Sequence, residues 1–415
     1  MDPRHRYSRI SLLLACGLAF AACSSSDSAS DQPVSTESPT TVVQPTTTLV
    51  ADSAACENAP LNPFFADSPA PIGHIDASQS NGSPTAGPRD STQTLAPADL
   101  QYVHLGPGHA GLAISSKYPD GSRVIWSNGA DRISKIDAKT FELLAELPRP
   151  DKELLSSDEA DANINLMDQQ SGSELALTGL GFGAKYLLGL TGIYYALDVD
   201  NTLFIGGEDS VLAYQDQTVG DPRSPNILRD EWKRPAEITG GFVGVNMTFD
   251  GKLVVVTDEG WIVVLDRDFS DYVAIALPGQ EAATAHNAEV VASGVTLASA
   301  SWVRNSIAVD DQGGIYAVSL NEMHKVVWDG TKLSNSPADG AWSAPYSNNA
   351  GKGSGATPAL MGYCDDRFVV ITDGDEQMNV VLFWRDGVPQ GWEQIEGALS
   401  PQIAGQALVT MGTQN

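Results

Sequence analysis

Five copies of one strand–turn–strand pattern, spaced by about 50 to 80 residues, predict an all-β fold of the β-propeller class. The copies lie at 114–137, 197–214, 247–265, 307–328 and 364–384. Each carries two short runs rich in β-branched or aromatic residues, and Asp-Gly or Asp-Asp pairs supply tight turns. One hairpin leaves two apolar faces uncovered, and stacking the units around a common axis buries both. The sequence therefore predicts a propeller, with six blades preferred within a range of five to seven.

The spacing also distinguishes this fold from a β-sandwich, in which strands follow roughly every 8–12 residues without a longer period. The widest gap comes after the first copy and leaves room for a degenerate blade around 140–180. The segments 102–105 and 407–411 are candidates for terminal strands that pair and close the ring.

The N-terminus has the pattern of an export signal. Arg4, Arg6 and Arg9 precede the uncharged stretch 10–22, which is too short to span a bilayer and suits a secretory signal. The small residues before Cys23 resemble the lipobox of bacterial lipoproteins. That resemblance implies that Cys23 becomes the first mature residue and carries the lipid. Cys16 is a competing site, and an ordinary secretory signal is the alternative.

Composition divides the remaining chain. Residues 23–60 are rich in Ser, Thr, Pro, Asp and Ala and have no Lys, Arg or aromatic residue, so they predict a disordered tether. Residues 61–100 are interpreted as an extended lead-in, and 101–415 as the propeller domain. The sequence therefore predicts that the protein is exported, is anchored to the cell membrane and faces outside the cytoplasm.

Charge and cysteine usage limit the partners and the compartment. The chain has 24 Lys and Arg against 52 Asp and Glu, a net charge of −28, which argues against a nucleic-acid partner. Apart from Cys16 and Cys23, for which the lipoprotein signal accounts, two cysteines remain, Cys56 and Cys364. An exported chain permits disulfides, so these two are predicted to pair, with two unpaired thiols as the alternative.

The segment from Asn305 to Tyr316 resembles the inner strands of propeller lactonases, arylesterases and NHL-type propellers. In the lactonases and arylesterases, oxygen ligands at such positions bind calcium in the central tunnel. The resemblance therefore implies Asn305 as a metal ligand, with Asn246 as the second candidate. Asn246 lies one residue out of register, because Val245 holds the position that matches Asn305.

His286 and Glu289 are the candidate catalytic residues. They lie with Asn287 in a short segment before the fourth copy and could form a general base with an orienting carboxylate. If the segment is a strand, the two side chains lie on opposite faces. The alternative is a solvated loop.

The run 136–142 resembles the blade turns of quinoprotein-like propellers, in which a Gly usually stands at the position of Phe141. Quinone-binding propellers also use Trp residues for stacking, and Trp328 and Trp384 both end their copies. Their repeated position at strand ends favours packing between blades instead. Taken together, the chain resembles uncharacterised bacterial lipoproteins with a β-propeller domain.

Three functions follow, in order of preference. The first is a lipid-anchored binding module for a small molecule, glycan or envelope protein. The second is a calcium-dependent hydrolase of the lactonase or arylesterase type, which would use Asn305, Asn246, His286 and Glu289. The third is a quinone (PQQ)-dependent dehydrogenase. A fold of this class hosts many activities and does not choose among them.

Overall fold

A computed structural model describes residues 59–73, 76–83, 86–87, 94–103, 105–106, 108–150, 154–183, 193–295 and 297–410. The predicted signal segment 1–22, Cys23 and nearly all of the predicted tether lie outside these residues. Within them, no helix has both the length and the apolar character needed to cross a membrane.

The described residues contain five antiparallel sheets, in each of which the first four strands follow one another in chain order. Sheet 1 contains β1 (His109–Ile114), β2 (Val124–Gly129), β3 (Arg132–Asp137) and β4 (Leu143–Pro148). Sheet 2 contains β5 (Tyr195–Leu197), β6 (Leu203–Gly206), β7 (Ser210–Asp216) and β8 (Asn226–Lys233). Sheet 3 contains β9 (Phe242–Met247), β10 (Leu253–Thr257), β11 (Trp261–Leu265) and β12 (Tyr272–Ala276).

The last two sheets follow the same plan. Sheet 4 contains β13 (Ala308–Val309), β14 (Gly314–Val318), β15 (Glu322–Trp328), β16 (Leu333–Ser334) and β17 (Trp342–Pro345), which also pairs with β15. Sheet 5 contains β18 (Ala359–Met361), β19 (Phe368–Thr372), β20 (Asn379–Trp384) and β21 (Ile403–Leu408). Short 3-10 turns lie at Pro97–Asp99, Gln280–Ala282 and Pro337–Asp339.

Successive sheets pack face to face, and this arrangement confirms the predicted all-β propeller. Strand β10 shows how the alternation of its side chains serves two neighbours. Leu253 and Val255 belong to the apolar cluster shared with sheet 2, whereas Val254 and Val256 belong to the cluster shared with sheet 4. Similar clusters join sheet 1 to sheet 2 and sheet 4 to sheet 5.

The segment predicted to hold a degenerate blade is helical instead, so that prediction is wrong. After β4, the chain forms α1 (Ser157–Asp168) and α2 (Gly172–Phe182). Ser156 is the N-cap of α1, and its hydroxyl accepts a hydrogen bond from the Glu159 amide. The described residues contain five sheets, and the preferred count of six blades within a range of five to seven stays a prediction.

The last strand does not pair with the predicted partner near residue 102. Strand β21 pairs with β20 inside its own sheet, and residues 102–103 lie outside any strand. Further helices, α3 (Ala283–Ala292) and α4 (Leu297–Ala300), lie in the connection between sheets 3 and 4.

Aspartates shape the turns that follow two of the inner strands. The Asp198 carboxylate accepts hydrogen bonds from the Asp200 and Thr202 amides, at 3.0 and 2.7 Å. The Asp310 carboxylate accepts from the Gln312 and Gly314 amides, at 3.0 and 2.7 Å. Such side-chain bonds replace backbone partners in a tight turn and explain the Asp in the repeated pattern.

Residues 59–73 and 76–83, here called the axial segment, lie beside the axial edges of the sheets and contact the first strand of every sheet. The Ala70 carbonyl accepts a hydrogen bond from the Ile114 amide of sheet 1, and Ile72 forms a β-bridge with Ala196 of sheet 2. The Asn62 side chain donates to the Met247 carbonyl of sheet 3. Gln79 accepts from the Val309 amide of sheet 4 and the Leu360 amide of sheet 5. The first strand of a blade has one edge that faces the axis, and unpaired backbone groups there need partners. The axial segment supplies them.

Gln79 joins three sheets with one side chain and one carbonyl. Its side-chain oxygen accepts from the Val309 amide at 2.7 Å and from the Asn246 side chain at 2.9 Å. Its backbone carbonyl accepts from the Leu360 amide at 2.9 Å. Gln79 is 5% exposed, so these bonds are shielded from water.

The substitution Gln79→Ala should lower the free energy of unfolding by roughly 1–3 kcal/mol, because it leaves the buried Val309 amide without its acceptor. Urea unfolding followed by tryptophan fluorescence measures the loss. The exposed Gln101→Ala is the matched control and should have little effect. Equal stability of Gln79→Ala and the parent would show that the axial segment does not hold the ring.

Candidate functional site

The candidate metal ligand Asn246 lies buried on β9 beside the axial segment. Its side-chain nitrogen donates to Gln79 Oε1 at 2.9 Å and to the Ile307 carbonyl at 2.7 Å. Its side-chain oxygen accepts from the Met247 amide at 2.7 Å. The Asn246 amide therefore bonds protein groups through both its nitrogen and its oxygen, and any ion would have to displace at least one of them.

The candidate metal ligand Asn305 lies in the connection that leads to β13. Its nitrogen donates to the Ser354 carbonyl at 2.9 Å, and the Tyr194 hydroxyl lies 3.3 Å from its oxygen. These bonds tie the approaches to sheets 2, 4 and 5 together. Throughout the described part of the chain, no three His, Cys, Asp or Glu side chains come together in a way that could hold a metal. A role for Asn246 and Asn305 as calcium ligands stays a prediction.

His286 and Glu289 lie on helix α3, not on a strand, so the alternation argument does not apply to them. His286 Nε2 lies 2.8 Å from the Ala300 carbonyl of α4, and Glu289 is exposed. Asn287 between them is buried and binds the Asp258 carbonyl at 3.2 Å and the Trp302 amide at 2.8 Å. The helix is thus fixed to the β10–β11 turn by Asn287. A catalytic role of His286 and Glu289 stays a prediction.

The sequence patterns did not single out Asp258, which follows β10 directly. Its carboxylate accepts from the Gly241 amide at 2.9 Å and is buried. Burial raises the pKa of Asp258 to about 6, and the nearby charges of Glu259 and Glu208 act in the same direction. A carboxyl with such a pKa can exchange a proton near neutral pH, a property found at functional sites and at buried structural ones.

A groove of about 580 Å³ lies between sheets 2 and 3, on the side where their first hairpins turn. Its charged lining consists of Asp198, Asp200, Asp216, Asp250, Asp266, Asp268, Arg229, Lys252 and Arg267. Arg267 pairs with Asp198 at 2.7 Å and with Asp200 at 3.4 Å, and Lys252 pairs with Asp266. The Arg267 guanidinium also lies 5.6 Å from the Phe64 ring of the axial segment. The main charges of the groove therefore hold the two sheets and the axial segment together.

Two buried lysines mark the junctions between sheets. Lys135 on β3 pairs with Asp216 of sheet 2 at 2.5 Å, and Lys325 on β15 donates to the Arg385 carbonyl of sheet 5 at 2.8 Å. Each lies across from an aromatic residue of the preceding strand, Trp126 or Tyr316, at 5.6 and 5.8 Å from the ring. A lysine in the middle of the third strand is therefore a contact between blades.

The two tryptophans at strand ends pack in different ways. Trp328 Nε1 donates to the Asp250 carboxylate of sheet 3 at 3.0 Å, which confirms the predicted packing between blades for this residue. Trp384 packs against Phe368 and Trp392, with ring centres 4.8 and 5.2 Å apart. Both indoles are buried, so stacking on a quinone would require rearrangement.

The turn that resembles quinoprotein-like propellers has the expected backbone. Phe141 has a φ of 60°, in the left-handed region that Gly adopts without strain. This backbone conformation explains why a Gly usually stands at this position in the quinoprotein-like pattern. Phe141 adopts the same conformation at some cost in steric strain.

Cys364 lies in the turn between β18 and β19. Cys56 lies outside the described residues. The pairing of Cys56 with Cys364 stays a prediction.

The substitution Asp258→Asn should change how stability depends on pH. Because the folded pKa is about 6 against an ordinary 3.8, folding takes up a proton in this interval, and the free energy of unfolding falls as pH rises through it. The ionised carboxylate costs up to about 3 kcal/mol above that range. We expect Asp258→Asn, which keeps an acceptor for Gly241, to be more stable than the parent at pH 8 and equally stable below pH 3.8.

Urea unfolding across this pH range measures the difference between the two proteins. The exposed Glu376→Gln removes the same charge and should show no such step. A difference that is constant with pH would contradict the raised pKa of Asp258.

Comparison with known proteins gives one sequence relative and several structural ones. No protein-family model matches the chain. It is 30% identical over 370 residues to an uncharacterized protein of Archaeoglobus fulgidus, and the match covers 85% of this chain and 60% of that protein. The chain thus spans about three fifths of the length of the curated relative that it matches.

Three similar solved structures have low sequence identity. A catalytically inactive virginiamycin B lyase from Staphylococcus aureus with quinupristin is 14% identical, with a TM-score of 0.33 and coverage of 63% of this chain and 62% of that one. The Cps50 (Swd1) β-propeller domain of Myceliophteria thermophila is 9% identical, with a TM-score of 0.35 and coverage of 74% and 72%. Citrobacter koseri AztD is 11% identical, with a TM-score of 0.33 and coverage of 69% and 68%. The assignment of this chain as a β-propeller rests on its own five sheets packed in series.

Proposed function

We propose that this chain is a non-catalytic binding module, displayed outside the cytoplasm on a lipid-anchored tether. Its ligand would be a small molecule, a glycan or a protein of the cell envelope. The filled axis of the ring is the observation that carries the proposal.

A hydrolase of the lactonase or arylesterase type would, by the resemblance above, place its calcium at the axis. In this chain the axial segment occupies that place, and Asn246 is bonded to Gln79 and to the Ile307 carbonyl. Asn305 is bonded to the Ser354 carbonyl. The two side chains that such an ion would use therefore already stabilise the contacts between sheets, which favours a structural axis and a binding surface elsewhere.

Features of the N-terminal sequence and the predicted cysteine pairing support export. Arg4, Arg6 and Arg9, the uncharged stretch 10–22 and Cys23 have the order of a lipoprotein signal. The predicted pairing of Cys56 with Cys364 would persist in an oxidising compartment outside the cytosol. A tether of the composition of residues 23–60 would hold the ring away from a membrane.

Calcium should leave the melting temperature of the protein unchanged. A ligand whose dissociation constant is one hundredth of the added concentration raises the free energy of unfolding by about 2.7 kcal/mol. Thermal unfolding detects such a change easily. The measurement compares millimolar calcium with a chelator. If calcium raises the melting temperature of the parent but not of Asn305→Ala, the result would contradict this expectation and favour the hydrolase over the binding module.

The substitution Cys23→Ser should release the protein from the membrane fraction of a bacterial host, because the residue that accepts the lipid is gone. Sedimentation of membranes followed by immunoblotting measures the distribution. Cys16→Ser is the matched control and should leave the protein bound. Membrane association that survives Cys23→Ser but not Cys16→Ser would move the lipid to Cys16, and a parent protein found only in the soluble fraction would remove the anchor.

A further inference from the structure

A small polar cavity lies on the axis of the ring, between the axial segment and the inner ends of sheets 3, 4 and 5. Its volume is about 10 Å³. Its polar lining comes from Asp76, Gln79, Asn81, Asn246, Ser306 and Thr357. A cavity of this size has room for about one water molecule.

Two buried polar atoms of the lining have no hydrogen-bond partner among the described residues. They are Gln79 Nε2 and Thr357 Oγ1. Gln79 is 5% exposed and Thr357 is 7% exposed, so bulk water does not satisfy them. An unsatisfied buried polar atom costs roughly 1–3 kcal/mol, and two in one cavity indicate a bound group that pairs with both.

The orientation of the Gln79 amide is fixed by its neighbours. The Val309 backbone amide can only donate, so the Gln79 atom 2.7 Å away must be the oxygen. Asn246 is fixed in the same way, because its oxygen accepts from the Met247 amide and its nitrogen donates to the Ile307 carbonyl. The Gln79 atom left for the cavity is therefore the NH₂ group, a donor.

A donor in the lining determines the class of ligand. The bound group must accept a hydrogen bond from Gln79 Nε2 and exchange one with the Thr357 hydroxyl. A metal cation cannot accept a hydrogen bond, and the cavity is too small for an organic molecule. Water meets both requirements of chemistry and size.

We propose that the axis holds one resident water molecule, bonded to Gln79 Nε2 and Thr357 Oγ1. Thr357 lies just before β18, so the water joins the axial segment to sheet 5 beside the direct bond from Leu360 to the Gln79 carbonyl. The proposal does not depend on the binding function. It assigns a neutral ligand to the region where calcium would lie in the alternative function.

The substitution Thr357→Val separates a hydrated cavity from a dry one by the sign of its effect. If the cavity is dry, the hydroxyl is an unsatisfied buried group, and its removal leaves the melting temperature unchanged or raises it. If water is bound, the variant loses a hydrogen bond and leaves the water short of a partner. We expect the melting temperature to fall by about 2 °C or more.

Thr257→Val calibrates the loss of a known buried hydrogen bond, since Thr257 is fully buried and its hydroxyl accepts from the Trp261 amide at 3.0 Å. Thr357→Ser keeps the hydroxyl and should lie closer to the parent than Thr357→Val does. A melting temperature of Thr357→Val at or above that of the parent would overturn the proposal.

A high-resolution crystal structure of the parent protein provides a second measurement that does not depend on any variant. It should show a density peak at about 2.7–3.2 Å from both Gln79 Nε2 and Thr357 Oγ1. An empty cavity, or density with the coordination of a metal ion, would overturn the proposal even if the variants do not fold.

Discussion

The hydrogen bonds between the axial segment and the five inner strands are the constraint on which the ring depends. A blade places its first strand at the axis, where one edge has no neighbouring strand of its own sheet. The axial segment meets that requirement through its contacts with all five first strands, with Gln79 bonded to sheets 3, 4 and 5. The same bonds engage the side chain of Asn246, so one set of contacts both joins the sheets at the axis and occupies a candidate metal ligand.

Much of the fold could be predicted because it depends on patterns of residues that are close together in the sequence. The alternation within 253–256, the Asp of the turns at 198 and 310, and the apolar strands of sheet 4 follow from side-chain period and turn chemistry. The helices after β4 were missed because a gap between repeats was interpreted as another repeat. The spacing itself gives only the length of an insertion, and the Ser156 cap was the local signal for a helix.

The candidate site was less predictable because its decisive contacts join residues far apart in sequence. Asn246 and Gln79 are 167 positions apart, and Val309 and Gln79 are 230 apart. No pattern within a strand shows that a segment upstream of the first blade will take these groups. Asp258 was missed for a related reason: its raised pKa comes mainly from burial, with contributions from Glu259 and Glu208, and only the packed turns bury this carboxyl and bring Glu208 near it. His286 was predicted to lie on a strand or in a solvated loop, although the alanine-rich run 282–292 favours a helix.

The path of the axial segment determines how this domain would respond to mechanical load. A pull on the N-terminal side of residue 59 acts on chain that is bonded to the inner strands of all five sheets. Traction is then shared across many bonds strained together, whereas a pull on an outermost strand such as β21 would unzip one ladder bond by bond. A force applied from the N-terminal side is therefore distributed over all five sheets and does not separate one strand at a time.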